Sequence, residues 1–234
     1  NGHAEAVLWV DLLLERFAAH RDELRVIAGH FPLCVTDLLG VPFSTFTVLR
    51  DPVERTLSLL RSREQRGAAH YRGMALEAIY EDPELHDIIH NHMVKMLSLS
   101  AAEMTSTPLT QPLEFDDARF AVAAERLASV DVVGVQERYD EFCGALESRF
   151  GWDLGPPRFA NRTEQRPVSA ALRRRIAADN SYDVDLYQLA QRMVSTSVAR
   201  ATPRREPVHR EAGKIVITGR GRAGTTLLWQ ILDE

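Results

Sequence analysis

The sequence predicts an α/β fold in which a central, mostly parallel sheet is flanked by helices. Short apolar runs typical of buried strands occur at residues 24–28, 43–49, 131–135 and 214–218. Segments with apolar residues at helical spacing alternate with these runs, as in parallel sheets that are covered on both faces. The 234 residues are enough for one sizeable domain of this kind. In such folds, ligands bind beyond the carboxyl ends of the strands.

The predicted elements follow one another along the chain in a simple order. Residues 4–20 predict a helix, 24–28 a strand that runs into Gly29 and His30, and 43–49 a second strand. Asp51 suits the N-cap and Pro52 the first position of the next helix, which is expected to end near Gly67. Further helices are predicted at 74–80, 83–99, 116–129, 138–150, 168–178 and 182–198.

Composition excludes some classes of protein. The formal net charge of −5 argues against a general nucleic-acid-binding protein. Cys34 and Cys143 lie in apolar contexts without CxxC spacing, so we expect both to be buried and reduced. No apolar run approaches about eighteen residues, so no membrane span is expected. No signal peptide is visible, but the chain begins with Asn1 and its true N-terminus is not visible, so this absence does not fix the compartment; the expected location is the bacterial cytoplasm. Basic residues are nearly all arginine, a bias typical of a GC-rich bacterial genome.

A first candidate anion site lies where the strand 43–49 passes into a helix. Arg50 stands directly at the end of this strand, and Ser58 lies two turns into the helix that follows. A helix N-terminus directs backbone N–H groups and a positive dipole end toward whatever lies beyond the strand. The planar guanidinium of arginine is suited to two-pronged binding of a phosphate.

A second candidate anion site is the glycine-rich segment GRGRAGTT at 219–226. It stands between the strand 214–218 and an apolar helical segment, and four residues separate its glycines Gly219 and Gly224. This spacing is that of a phosphate-binding loop, in which glycines let successive N–H groups surround the phosphate. Thr225 stands where such loops carry lysine, so a triphosphate with magnesium is disfavoured, and Arg222 can supply the cation instead.

Together the two segments resemble the paired signature of sulfotransferases that use 3′-phosphoadenosine 5′-phosphosulfate. The span 30–187, with GHFP, the helix near 91–97, VGVQERYDEF and the NRTEQRP loop, is similar to the subgroup containing heparan sulfate 2-O-sulfotransferase. The resemblance implies a P-loop NTPase-like three-layer sandwich in which Arg50 and Ser58 hold the 3′-phosphate. The 5′-phosphosulfate would be held by Gly221, Arg222, Ala223, Gly224, Thr225 and Thr226.

The resemblance also implies an in-line transfer with His30 as the general base. A histidine after a glycine at a strand end can sit in a cleft with a pKa suited to accepting a hydroxyl proton. Alternatively, nearby backbone simply satisfies this side chain. Arg222 would stabilise the departing bisphosphate, and no metal is expected because no ligand cluster is visible. The acceptor would be a hydroxyl on a carbohydrate, a lipid or a small metabolite.

Three further regions carry weaker candidates. Arg55 either reaches the nucleotide or is structural, and Lys95 either lines the site or belongs to a solvated helix face. A loop in the irregular segment 151–167 is expected to close over the adenine or the 3′-phosphate, or to be an ordinary surface loop. Its candidate residues are Asn161, Arg162, Thr163 and Arg166.

The order of the two motifs departs from the family, where the phosphosulfate loop comes first. We expect a sulfotransferase domain at 1–198 that lacks its own first loop, a linker at 199–213, and a strand, loop and helix at 214–234. The last segment either completes the same sheet or starts a second domain. A tandem protein, a circular permutation and a truncated gene all fit. The alternative functions are a P-loop small-molecule or nucleotide kinase and an incomplete, non-catalytic nucleotide-binding module.

Overall fold

The structure is a computed structural model that describes residues 10–24, 26–105, 107–108, 110–155, 167–200 and 214–218. Side chains are described except at 197–200 and 214–218. The strands are β1 (Val26–Gly29), β2 (Phe43–Leu49), β3 (Val132–Val135) and β4 (Lys214–Thr218). The helices are α1 (Val10–Ala19), α2 (Val35–Leu39), α3 (Pro52–Arg66), α4 (Leu76–Tyr80), α5 (Pro83–Ile89), α6 (His92–Ser98), α7 (Asp117–Ser129), α8 (Tyr139–Phe150), α9 (Ala170–Asp179) and α10 (Ser181–Arg200).

The four strands form one parallel sheet in the order β1-β4-β2-β3. β1 and β2 are consecutive among the described strands, yet they do not pair with each other. β4 lies between them, and Thr218 at its end is opposite Gly29 of β1 and Thr47 of β2. The described part of the chain is therefore α/β with a parallel sheet, as predicted, and a distant segment supplies one of its inner strands.

Helices cover both faces of β2 and β3. On one face, Phe46 and Val48 of β2 pack with Phe142 and Leu146 of α8. On the other face, Leu49 belongs to a core cluster formed largely by α6, α7 and α10. Because successive side chains of a strand point to opposite faces, the continuous apolar run of β2 is what a strand buried on both sides requires.

Two smaller apolar clusters complete the core. α1 packs through Val10, Leu13 and Phe17 against Ile27 of β1 and the start of α2. A helical layer is built from α3, α4, α5 and α9, with Leu57 and Leu60 of α3 fully buried in it. α3 is thus packed against α4, α5 and α9 beside the sheet.

One predicted helix is wrong in extent, because 83–99 is divided into α5 and α6 at His90 and Asn91. Asn91 has φ 40° and ψ 45°, a left-handed conformation that ends helical hydrogen bonding and that asparagine tolerates better than most residues. Its N–H donates to Asn180 Oδ1 at 2.8 Å, and its Oδ1 accepts from the N–H of Asp183 at 3.1 Å. These contacts with the start of α10 fix the break.

Most other predicted elements agree with the structure to within a few residues. α3 ends at Arg66 beside its C-cap Gly67, as expected. α2 was not predicted, because its five residues are too few to show a helical period. α10 continues to Arg200, two residues into the segment predicted as a linker, and residues 201–213 lie outside the described part of the chain.

Candidate functional site

The carboxyl ends of the parallel strands meet at one edge of the sheet, and the first two predicted site residues lie there. His30 follows Gly29, the last residue of β1, and Arg50 follows Leu49, the last residue of β2. Strands lie about 4.8 Å apart and rise about 3.3 Å per residue, so the backbones of these residues are separated by about 12 Å. β4 lies between the two strands and ends with Thr218 at the same edge.

His30 is held at this edge by the packing of its two neighbours. Gly29 is buried, and a Cβ added there would lie 2.3 Å from Cε2 of Phe31. Phe31 is 1% exposed and packs with α1 and α2. Any residue with a Cβ at position 29 would therefore clash with the Phe31 ring. The half-buried His30 is therefore placed between two tightly packed positions.

Arg50 precedes a helix whose start is capped as the sequence predicts. Asp51 accepts a hydrogen bond from the N–H of Glu54 at 2.9 Å, and Pro52 occupies the first helical position. Burial lowers the pKa of the half-buried Arg50 guanidinium, whereas the nearby carboxylates of Glu54 and Glu137 act in the opposite direction. The positive charge of Arg61 adds to the lowering. Arg50 thus lies among several charged groups at the carboxyl end of β2.

Ser58 is half-buried on α3 and shares one face of this helix with charged residues. Glu54, Ser58 and Arg61 follow one another at intervals of four and three residues, which places them along a single stripe. Arg61 is only 3% exposed. The stripe extends the charged region from the strand end along two turns of α3.

The contacts of Arg55 favour the structural alternative for this residue. Arg55 is 6% exposed, and its guanidinium donates to the carbonyls of Ile88 at 3.0 Å and Ile89 at 3.5 Å. Burial lowers its pKa to about 10, and the charge of Asp183 opposes that shift. Arg55 therefore holds the end of α5 against α3.

Lys95 is equally structural, so the prediction of a solvated helix face is wrong. It is 1% exposed, and its Nζ donates to the carbonyls of Asp87 and Gln111 at 2.6 Å each. Burial lowers its pKa to about 8. The ammonium thus connects α6 with a carbonyl of α5 and with the irregular segment that contains Gln111.

The remaining predicted site residues lie outside the described part of the chain. They comprise the glycine-rich loop with its cation and the candidate loop of the irregular segment: Gly219, Gly221, Arg222, Ala223, Gly224, Thr225, Thr226, Asn161, Arg162, Thr163 and Arg166. Their roles stay predictions.

Sequence reasoning missed Glu137 and Tyr187, which also lie at the carboxyl edge. Glu137 stands two residues beyond the end of β3, and the Tyr187 hydroxyl of α10 donates to its Oε2 at 2.5 Å. The rule that singled out Arg50, a charged residue just past a buried strand, applies equally to Glu137 and was available from the sequence. The partnership with Tyr187 was not, because it joins distant segments.

Both cysteines are free thiols. Cys34 is buried as predicted, and burial raises its pKa to about 11. Cys143 is half-buried rather than buried, and burial raises its pKa as well. Neither thiol has the low pKa of a reactive nucleophile.

A cavity of about 360 Å³ opens at the opposite, amino-terminal edge of the sheet, beside Phe43 and Thr45. Two of its charged lining groups, Arg126 and Asp131, already make contacts within the fold. Arg126 donates to the carbonyl of Leu97 at 3.2 Å, and Asp131 accepts from Arg149 and from the N–H of Thr45 at 2.9 Å each. This cavity does not coincide with the predicted site.

The described residues contain no group of three potential metal-ligating side chains, and none of their helices combines the length and apolarity needed to cross a membrane. Comparison with known proteins finds no family model, curated protein or solved structure that matches the chain.

Proposed function

We propose that this chain is a sulfotransferase that moves a sulfuryl group from 3′-phosphoadenosine 5′-phosphosulfate to a hydroxyl acceptor. The proposal includes the finer fold expectation, a three-layer sandwich of the P-loop NTPase type. The observation that carries it is the position of β4 between β1 and β2. This topology brings the end of β4, which the glycine-rich segment follows in sequence, to the edge where His30 and Arg50 lie.

The charges around Arg50 support binding of an anion there. Arg50 lies within electrostatic reach of two further guanidiniums, Arg55 and Arg61, which are 6% and 3% exposed. Burial makes such repulsion between like charges more costly than it is in water. Glu54, Glu137 and Asp51 already offset part of this repulsion, and an anion beside Arg50 would offset more of it. The residues present therefore fit a 3′-phosphate at the start of α3.

The proposed reaction needs a base, a cation and positioning. The acceptor oxygen attacks sulfur, His30 accepts the proton of the attacking hydroxyl, and the bond from sulfur to the bridging phosphate oxygen breaks. Adenosine 3′,5′-bisphosphate leaves with the electron pair of that bond. Arg50 and Ser58 would hold the 3′-phosphate and so fix the donor relative to His30. Arg222 would stabilise the leaving phosphate.

Calorimetry with adenosine 3′,5′-bisphosphate and the full chain tests the nucleotide site without the acceptor. Removing one partner of a buried charge pair costs about 2–5 kcal/mol, so Arg50→Ala should weaken binding at least about thirtyfold. The matched control is Arg174→Ala, an exposed arginine of α9. Absence of binding, or equal binding by Arg50→Ala and wild type, would overturn the nucleotide site.

Transfer itself is tested by release of the bisphosphate from the phosphosulfate donor in the presence of glycan, lipid and small hydroxyl acceptors. His30→Ala should keep its affinity for the bisphosphate and lose acceptor-dependent release. The control His70→Ala changes an exposed histidine and should leave release unchanged. Unchanged release by His30→Ala would remove the assignment of His30 as the base.

A further inference from the structure

Two carboxylates lie close to Arg50 by their positions on the backbone. Leu49 of β2 is paired with Val135 of β3, so Arg50 and Glu137 leave the sheet side by side, one and two residues beyond that pair. Glu54 stands four residues after Arg50, in the first turn of α3. Both carboxylates act on the charge of Arg50.

Each of these carboxylates is held by a side chain from a C-terminal helix. The Tyr187 hydroxyl of α10 donates to Glu137 Oε2 at 2.5 Å, and Nη1 of Arg173 of α9 donates to Glu54 Oε1 at 2.5 Å. Without such a partner, an exposed glutamate side chain samples several rotamers. The two contacts thus restrict where the negative charges near Arg50 can lie.

Of the two residues that hold the carboxylates, Tyr187 is anchored by its buried side chain, whereas the Arg173 side chain is 42% exposed and is anchored through its backbone. Tyr187 is 6% exposed and packs in the same core cluster as Leu49 and Val135, the paired ends of β2 and β3. Arg173 follows Leu172, which is buried against α3. The carboxylates are therefore fixed relative to the strand end from which Arg50 emerges.

We propose that the pairs Tyr187–Glu137 and Arg173–Glu54 are positioning residues that fix the Arg50 guanidinium for an anion at the carboxyl edge. A guanidinium binds a phosphate through a planar fork, so its orientation matters as much as its charge. None of the four residues needs to touch the anion. The inference rests on the proposed function only for the identity of the anion, the 3′-phosphate of the nucleotide.

The first test measures binding of adenosine 3′,5′-bisphosphate by the full chain carrying Tyr187→Phe or Arg173→Met. In metal sites, losing a group that orients a ligand costs about 10–100-fold in affinity, and we expect a loss at the lower end of this range, about tenfold, for the orientation of Arg50. In an Arg50→Ala background the same substitutions should have no further effect, because they act through Arg50. A purely structural role would weaken binding in both backgrounds.

Each substitution has a matched control on its own helix. Tyr182 of α10 donates to Asp117 Oδ1 at 3.0 Å, and Arg175 of α9 pairs with Glu81, both away from Arg50. Tyr182→Phe and Arg175→Met should keep bisphosphate affinity within about twofold of wild type, since they are distant from the site. If wild type binds through Arg50 and neither Tyr187→Phe nor Arg173→Met weakens binding, the inference fails and the proposed function stands.

The second test needs no nucleotide. Nitrogen–hydrogen spectra of the arginine Nε–Hε groups, with the Arg50 signal assigned by Arg50→Lys, report the order of this side chain directly. Tyr187→Phe and Arg173→Met should shift or broaden that signal, and the two controls should not. If wild type fails to bind the bisphosphate but these shifts occur, the proposed function fails and the positioning role stands. An unchanged Arg50 signal overturns the positioning role.

Discussion

Asp183 offers the most direct test of how the buried polar groups stabilise this fold. It is fully buried at the start of α10, and its two carboxylate oxygens accept from the N–H groups of Met93 at 3.0 Å and Val94 at 2.8 Å. These N–H groups belong to the first turn of α6, where no helical partner is available to them. Asp183→Ala would leave both donors buried without an acceptor.

The expected magnitude follows from those two hydrogen bonds. A buried donor without a partner costs about 1–3 kcal/mol, so Asp183→Ala should lower the free energy of unfolding by about 2–6 kcal/mol. Asp183→Asn keeps one oxygen acceptor and should lose about half of that amount. Domains of ordinary stability unfold with about 5–15 kcal/mol, so this loss would be a large fraction of the total.

The assay is urea unfolding at pH 7.5, followed by far-ultraviolet circular dichroism. Asp185→Ala is the matched control, because Asp185 lies two residues further on the same helix and is exposed. This control should change the free energy of unfolding by no more than about 0.5 kcal/mol. If Asp183→Ala loses no more than the control, the contacts between α6 and α10 do not stabilise the fold as reasoned.

Burial raises the pKa of Asp183 from 3.8 to about 6, so the folded state keeps a proton that the unfolded state releases. The free energy of unfolding of wild type relative to Asp183→Asn should therefore fall as pH rises from about 4 to 6 in urea titrations of both proteins, and a constant difference would contradict this account. Gly29→Ala places a Cβ 2.3 Å from the Phe31 ring and should lower the free energy of unfolding by about 1–3 kcal/mol. The control Gly144→Ala on α8 adds a Cβ that meets nothing within 4 Å and should be neutral or stabilising. Equal melting temperatures for the two variants would contradict the packing argument. Phe46→Ala removes a fully buried ring that packs with three other aromatic rings, and we expect the free energy of unfolding in urea to fall by about 3–5 kcal/mol. A decrease below about 1 kcal/mol would show that the surrounding side chains collapse into the space left by the ring.

Local chemistry accounts for the elements that were predicted well. β2 is a continuous apolar run, and Asp51 and Pro52 mark the start of α3 by capping and backbone geometry that depend on a few adjacent residues. The positions of His30 and Arg50 at one edge follow from parallel pairing once these strands are known. This much of the fold and of the candidate site is readable from short stretches of sequence.

The parts that were missed depend on partners far along the chain. The break at Asn91 is fixed by Asn180 and Asp183, and nothing near Asn91 in the sequence indicates it. Lys95 is structural because the carbonyls of Asp87 and Gln111 converge on its ammonium. A helical pattern shows which residues share a face, but it does not show what that face will meet.

The position of β4 also affects how this protein reaches its folded state. Before residues 214–218 pair as β4, β1 has no neighbour in the described sheet, and the edge of β2 that pairs with β4 presents unpaired N–H and C=O groups. Parallel pairing across so long a stretch of chain is slow to form, because the loop-closure entropy is lost before the long-range contacts are made. Within the described sheet, the gap between β1 and β2 is therefore a place where a newly made chain is exposed to pairing with another molecule and where a chaperone can protect it.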